Sequence, residues 1–443
     1  MANLMQLRMA AREIFDETLR AVDPLNAVRS AVRRDGSQLN VRDLSIDVSN
    51  RNVYSIAIGK AAAKMAAALD DVLGEKLASG VITSSPALLA QITLSPRWQR
   101  FHGGHPEPNE RSLEAARAAF HLLERANQEG ALLIFLVSGG GSAMMEWPIS
   151  DDLSLDDLRA ANKVMVACGA SIAEINSVRR AFSAVKGGRL AARAPNCDQI
   201  TLIVSDVPKN EGANVASGPT LAPPNDAPSA REVITRYNLQ SQLPLSIMRA
   251  VEAAEPLALS PHKAQEYFVL LDNESALQAA ASAARRRGFI NEIAPEISDQ
   301  PIAEGCSLLM KRLESLSAQS ESRGQIVCLI SGGEFSCPVQ GSGIGGRNLE
   351  TSLRLGCSTN LSLSDTVALC AGTDGIDGNS PAAGAIIDST TMDRANAIGI
   401  DAQDFLRRSD SYSFFVALGD VLTTGATGTN VRDVRILLFN GAQ

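Results

Sequence analysis

The chain is poor in the features that would place it in a membrane, on nucleic acid or outside a reducing compartment. No apolar run approaches the roughly 18–20 residues needed to cross a bilayer. The opening stretch, MANLMQLRMAAREIFDETLR, has no continuous apolar core of the signal-peptide kind and reads as an amphipathic helix. Basic residues are not in excess: Lys+Arg number 41 against 49 Asp+Glu, a net charge of −8, and no basic stretch stands out. That balance excludes nucleic acid and anionic membrane surfaces as expected partners. The seven cysteines are scattered, odd in number and without a CxxC pair, and several fall in apolar segments. A cytoplasmic, reduced protein without structural zinc is expected. Aromatics are scarce at 4%, and the four histidines form no HExxH set; His102 and His105 in HGGH fit a polar turn better than a metal site. No GxxxxGK[ST] phosphate loop occurs anywhere.

What is present is ordinary globular material. Hydrophobic residues make up 45% of the 443 positions and charged residues 20%, enough for two or three domains with a large core. Seven apolar runs predict strands at 53–58, 132–137, 200–204, 267–271, 326–330, 366–370 and 435–439. Most are continuous rather than alternating, as in strands buried on both faces. Helical patterns such as 111–128 and 275–287 lie between them. The alternation predicts an α/β chain with a mostly parallel sheet. The Pro-rich stretch PTLAPPNDAP at 219–228 and the Pro/Ala-rich region 244–264 place a boundary within 220–260, dividing the chain into domains 1–245 and 246–443.

The strand endings carry the chemistry. They read GKAAAK (59–64), SGGGSA (138–143), SDVPKNE (205–211), DNES (272–275), SGGEFS (331–336) and AGTDGIDG (371–378). In open α/β sheets ligands bind beyond the carboxyl ends of strands. The turn Ser138-Gly139-Gly140-Gly141-Ser142 lets backbone approach an anion closely, and N–H groups at a following helix start would favour phosphate or carboxylate. SGGE at 331–334 is read as a second turn of the same kind. GSGIGG at 341–346 matches GxGxxG, but it follows a segment containing Pro338 rather than a clean strand, so the dinucleotide reading fails. Lys60, directly after a strand and Gly59, is placed to meet phosphate or carboxylate as a point charge. Arg189, after Gly187-Gly188, is the basic residue of its segment that points inward. Arg347 opens a helix after GIGG and suits bidentate anion recognition. Asp206, Glu334, Asp374 and Asp377 sit at strand ends beside glycines, where carboxylates can hold Mg²⁺ or take a hydroxyl proton; each could also cap a turn.

In order, GKAAAKMA, HPEPNERSLEAA, LVSGGGSAMMEWP, INSVRRAFSAVKGGRLA, SDVPKNEGANVASGPT, SGGE, GIGGRNLETSLR, GTDGIDGNSPAAGAIID and TGATGTNVRDV resemble the motifs of class II glycerate kinases, the family with a C-terminal MOFRL domain. The resemblance covers nearly the whole chain. It implies a Rossmann-like N-terminal domain, a smaller α/β C-terminal domain containing the MOFRL region (about 325–443), and an interdomain cleft. It also implies ATP- and Mg²⁺-dependent phosphorylation of D-glycerate, most often at the 2-hydroxyl. A homodimer is a candidate assembly. Some relatives of this kind carry the name hydroxypyruvate reductase, and another small sugar acid, such as erythronate or threonate, is the alternative substrate. The positions matching the family's functional residues are Lys60, Asp206, Glu334, Arg347 and Asp374. Lys60 and Arg347 are expected on substrate or the transferring phosphoryl group, Asp374 near the attacking hydroxyl, and Asp206 and Glu334 on Mg²⁺ or the substrate hydroxyls. Ser138, Gly139, Gly140, Gly141 and Ser142 are expected around phosphate, with Arg189 and Asp377 in the same binding role.

The chain departs from the family pattern in places. The usual SDVxGDDxxxIASGPT reads SDVPKNEGANVASGPT, with Lys209 for Gly and Asn210-Glu211 for the acidic pair. HPVPD has become HPEPN with Asn109, GPTDAAGA has become GNSPAAGA, and TGPTGTN has become TGATGTN with Ala426. Lost carboxylates near a metal imply weaker Mg²⁺ binding or a shifted acceptor.

Overall fold

The computed structural model describes residues 4–209, 211–224, 226–254, 264–321, 325–358 and 365–440. The chain forms two units: Pro24–Leu270, and Met1–Asp23 together with Leu271–Gln443. The boundary expected at 245/246 thus lies at 270/271, and the first residues join the later unit. The reason is the amphipathic stripe of the helix Leu4–Ala21. It buries Leu7, Ala11, Ile14 and Phe15 against the helix Asn273–Arg286 and the strand Thr366–Gly372. Burial of three large apolar side chains contributes on the order of 5 kcal/mol before entropy costs. Ion pairs fix the register: Arg8 reaches Asp388 at 2.6 Å and Asp420 at 2.5 Å, and Arg287 reaches Glu13 and Glu17.

The unit Pro24–Leu270 is built on a six-stranded sheet ordered Trp98–Phe101, Leu77–Thr83, Val53–Ile58, Leu132–Ser138, Asp198–Val204, Ala264–Leu271. The four pairings among the first five strands are parallel. Every residue of Val53–Ile58 and Leu132–Ser138 is buried, as the continuous apolar runs require. The helix Glu110–Glu129 buries Ala115, Ala119, Leu122, Leu123 and Ala126, the 3–4 spacing of one face, into the core with Tyr54, Leu133 and Phe135. It starts at Asn109, whose side chain accepts from Ser112 N–H in a capping box, and stops at Gly130 in the left-handed conformation. Asn109 Nδ2 also donates to the His102 carbonyl at 3.2 Å, a bond an aspartate could not make, so this departure from the family pattern is structurally accommodated. A second apolar cluster, with Leu158, Met165, Val178, Ile247 and Val251, joins the helices Leu155–Ala167, Ile172–Ala181 and Leu245–Ala253. Three short strands within residues 32–47 form a separate antiparallel sheet.

The other unit's sheet runs Ile290–Ile293, Ile326–Gly333, Asp433–Asn440, Thr366–Gly372, Gly384–Asp388, Val421–Leu422. Only its first pairing is parallel; the rest are antiparallel. The mostly parallel sheet expected for the chain therefore holds for one unit, while the MOFRL-side sheet is mixed. No helix among the described residues is long and apolar enough to cross a membrane.

Candidate functional site

Two strand-end clusters emerge, one in each unit. In Pro24–Leu270, the strands Val53–Ile58 and Leu132–Ser138 are parallel neighbours in register, so Gly59-Lys60 and the glycine turn leave the sheet side by side. Lys60 N–H donates to Gly139 O at 2.8 Å. Ser138 is fully buried; its hydroxyl donates to Ile58 O at 3.2 Å and accepts from Ala61 N–H at 3.0 Å. That side chain knits two turns together and does not face a ligand, contrary to the sequence expectation. A Cβ on Gly139 would lie 1.9 Å from Asp206 Oδ2. Gly140 has φ +77°, and a Cβ there would lie 3.1 Å from both Lys60 Cγ and His105 Cδ2. Gly141 is closed in by Ile58 and Ala216. The structure thus brings Lys60, Asp206 and the glycine turn 139–141 together, with Gly139 and Gly141 buried and Gly140 partly exposed, and adds His105 from the HGGH stretch. The helix after the turn, Gly141–Met144, is one turn long, so its dipole is small.

Beneath the turn lies a polar chain of which only Ser142 is singled out by the sequence. Ser142 Oγ is 2.9 Å from Ser217 Oγ, Ser217 donates to Asn176 Oδ1 at 2.7 Å, and Asn176 Nδ2 donates to Asn214 O at 3.3 Å. Arg180 donates to Asn214 Oδ1 at 2.6 Å, and Asn214 Nδ2 to Glu211 at 3.1 Å. INS (175–177) and ASGPT (216–220) carried these residues in plain sight; polar side chains inside an otherwise apolar helix pattern were the available signal. Ala216 and Ser217 hold φ of +52° and +62°, strain that side chains other than glycine adopt only under constraint. Asn210, one of the altered positions, lies outside the described residues.

Several basic residues of this segment turn out to be structural. Lys186 is buried and paired with the buried Glu146, which also accepts from Ser183. Burial pushes Lys186 down while Glu146 opposes the shift. Arg189 donates to Arg180 O at 2.6 Å, closing the end of the helix Ile172–Ala181. Its guanidinium therefore serves that helix end, and is not among the groups lining the glycine turn.

The second cluster surrounds Arg347. Its guanidinium pairs with Asp433 at 2.6 Å and Glu334 at 2.7 Å. Burial works against its charge, but the Asp433 and Glu334 carboxylates outweigh that and raise its pKa. Asp374 joins them around Gly372, where a Cβ would lie 3.2 Å from Asp374 Oδ1 and 3.5 Å from Asp433 Oδ1. Nothing in NVRD singles Asp433 out in the sequence. Asp377 is buried and accepts from Asn348 N–H, Asn348 Nδ2 and Leu349 N–H at 2.8–3.2 Å. Burial pushes it up to about 7, the Leu349 N–H pulls it back, and Asp433 adds to the rise. It caps the helix Arg347–Gly356 from within, and its oxygens are spent there rather than on an incoming anion. The glycines of GSGIGG pack against Arg408, Asp410, Ser411 and Asp377, and Asn379 pins the loop through Gly345 N–H and Gly343 O. This is a protein-filled loop, consistent with rejecting the dinucleotide fingerprint.

Among the described residues no group of three or more His, Cys, Asp or Glu side chains is placed to hold a metal by itself. Mg²⁺ does not need such a cage, since one or two carboxylates with phosphate oxygens and water suffice. Asp206, a hard oxygen donor lying against the glycine turn, fits that requirement. Glu334, committed to Arg347, fits it less well.

Comparison with known proteins finds relatives over nearly the whole chain. The model of a domain of unknown function, DUF4147, matches residues 10–252, and the MOFRL family model matches 327–433. D-glycerate 2-kinase of Thermotoga maritima is 33% identical over 98% of both chains. Glycerate kinase of Rattus norvegicus is 32% identical over 99% of this chain and 94% of its own. The crystal structure of a glycerate kinase from Thermotoga maritima superposes with a TM-score of 0.80 at 31% identity, covering 98% of this chain and 100% of that one.

Proposed function

The chain belongs to the class II glycerate kinase family with a C-terminal MOFRL domain, and on that premise we propose that it transfers the γ-phosphoryl group of ATP to the 2-hydroxyl of D-glycerate. The single observation that carries the reading is the convergence of a lysine stem and a carboxylate on the glycine turn at Gly139-Gly140. Phosphoryl transfer needs positioning and charge neutralisation more than covalent chemistry. The glycine backbone approaches phosphate oxygens without side-chain obstruction, and Lys60 neutralises their charge. Mg²⁺, when bound, supplies further neutralisation, with Asp206 as its carboxylate. Arg347, held rigid by Asp433 and Glu334, orients the glycerate carboxylate, and Asp374 accepts the proton of the attacking hydroxyl.

The test is ADP formation by purified protein with ATP, Mg²⁺ and D-glycerate, with the product assigned by ³¹P–¹H NMR as the 2- or 3-phosphate. Absence of glycerate-dependent ADP sinks the proposal, and NAD(P)H oxidation with hydroxypyruvate would replace it by a reductase. A second acceptor is favoured by one observation: Lys209 and Glu211 replace the family's usual residues, and Glu211 is held by Asn214. Ratios of kcat/KM for glycerate, erythronate and threonate decide between them.

A further inference from the structure

The proton of Ser142 Oγ has only one place to go, and this fixes what Ser142 can bind. The backbone carbonyl of Asn214 can only accept, so Asn176 turns its Nδ2 to it. That leaves Asn176 Oδ1, which has no proton, facing Ser217, so Ser217 must donate at 2.7 Å. A hydroxyl has a single proton. With Ser217's proton spent, the 2.9 Å contact to Ser142 requires Ser142 to be the donor. The far end is equally constrained: Arg180, a donor only, fixes the amide of Asn214, whose Nδ2 then meets Glu211. The left-handed conformations of Ala216 and Ser217 keep this loop in place.

Ser142 is half-buried and meets an occupant of the turn with lone pairs alone. A phosphate oxygen is itself an acceptor, so the donor role expected from the sequence is closed to this hydroxyl. A cation is the group that accepts oxygen lone pairs beside a carboxylate, and Asp206 supplies that carboxylate at Gly139. We propose that Ser142 Oγ and the Asp206 carboxylate are two ligands of the divalent cation that accompanies the nucleotide, the hydroxyl as a neutral oxygen ligand. This rests on the phosphoryl-transfer reading above. The two ligands come from the ends of adjacent parallel strands, and the remaining positions would go to phosphate oxygens and water.

The experiment measures Mn²⁺ binding by the loss of its free EPR signal, with and without a non-hydrolysable ATP analogue, in full-length protein. Ser142→Ala is expected to weaken Mn²⁺ about tenfold or more in the presence of the analogue, while metal-free binding of the analogue stays within about twofold. Ser142→Cys is expected to shift preference from Mg²⁺ toward Cd²⁺, because sulfur is the softer ligand. Ser217→Ala retains the Ser142 hydroxyl and is expected to lose less Mn²⁺ affinity than Ser142→Ala. An unchanged Mn²⁺ affinity in Ser142→Ala overturns the proposal. So does an equal loss in Ser142→Ala and Ser217→Ala accompanied by weaker metal-free analogue binding, which would mark the chain as a folding element. A wild-type protein that binds no Mn²⁺ with the analogue overturns this assignment together with the reading beneath it, whereas the first two outcomes leave that reading standing.

Discussion

LVSGGGS and LISGGE look like one motif used twice, yet they are different objects. In both, the second glycine bends the chain: Gly140 has φ +77° and Gly333 +80°. The surroundings differ. Ser138 ends a strand between parallel neighbours, and the chain turns away immediately. Ser331, Gly332 and Gly333 instead continue an antiparallel ladder, opposite Arg435, Val434 and Asp433, so the second turn expected from the sequence is the end of a strand. Its glycines are covered by the protein itself. A Cβ on Gly332 would lie 2.0 Å from Asn273 Oδ1, and one on Gly333 would lie 2.4 Å from Ser298 O. Asn273 accepts the Gly333 N–H at 3.0 Å, and Arg435 holds the Gly332 carbonyl. The first motif presents backbone next to ionisable side chains; the second uses glycine so that structural groups can approach. The difference teaches that a glycine pair after an apolar run reports close approach, while the approaching group decides between binding and architecture.

Substitution at the matched glycines is the strongest way to break the comparison. Gly139→Ala is expected to lower kcat/KM for glycerate phosphorylation at least about 100-fold, or ~2.7 kcal/mol of transition-state stabilisation, with the larger part of the effect in activity. Gly332→Ala is expected to act on folding instead, by about 2–3 kcal/mol in denaturant melts. Equal stability losses in the two would erase the distinction. Next in size is the pair of cations. Lys60→Ala is expected to remove activity at nearly unchanged Tm. Arg347→Ala also strands the buried Asp433 and should cost on the order of 2 kcal/mol, below the range for a fully buried pair because Arg347 is partly exposed. Asp377→Asn keeps one acceptor oxygen for three N–H donors, so a loss of about 1–2 kcal/mol is expected, measured by the urea midpoint. The smallest effect concerns acid. Glu174, bonded to Ser171, Tyr237 and Arg236, is held at about 2, below its ordinary 4.5. Its contribution is present above pH 4.5 and is lost as pH falls toward 2. Glu174→Gln should therefore flatten the fall of Tm across that window, loosening the helix that carries Asn176 before the sheet of the other motif is affected.

All seven sequence-read strands are present; six are almost wholly buried runs that leave little alternative, whereas 267–271 lies at a sheet edge with Tyr267 and Val269 exposed. Lys60, Asp206 and the glycines at 139–141 were legible for a related reason: strand ends place chemistry locally, and those residues adjoin their strands. What escaped the reading depends on distant partners. Whether Ser331-Gly332-Gly333 turns or continues is decided by a strand about 100 positions later. The commitments of Ser138 to Ile58 O and of Asp377 to a helix start are side-chain choices made by tertiary neighbours. Asp433 could not be singled out from NVRD, since its role is defined by Arg347 across the sheet. The Ser142 chain required hydrogen-bond directions, which no spacing encodes.

The helix Leu4–Ala21 has a consequence for synthesis. It is made well before its partners, Asn273–Arg286 and Thr366–Gly372, which follow only after the whole segment 24–270. The parallel-sheet unit is therefore an insertion that can mature while the other unit still waits for its remaining strands. During that interval the face bearing Leu7, Ile14 and Phe15 is uncovered, the kind of surface that recruits chaperones or aggregates.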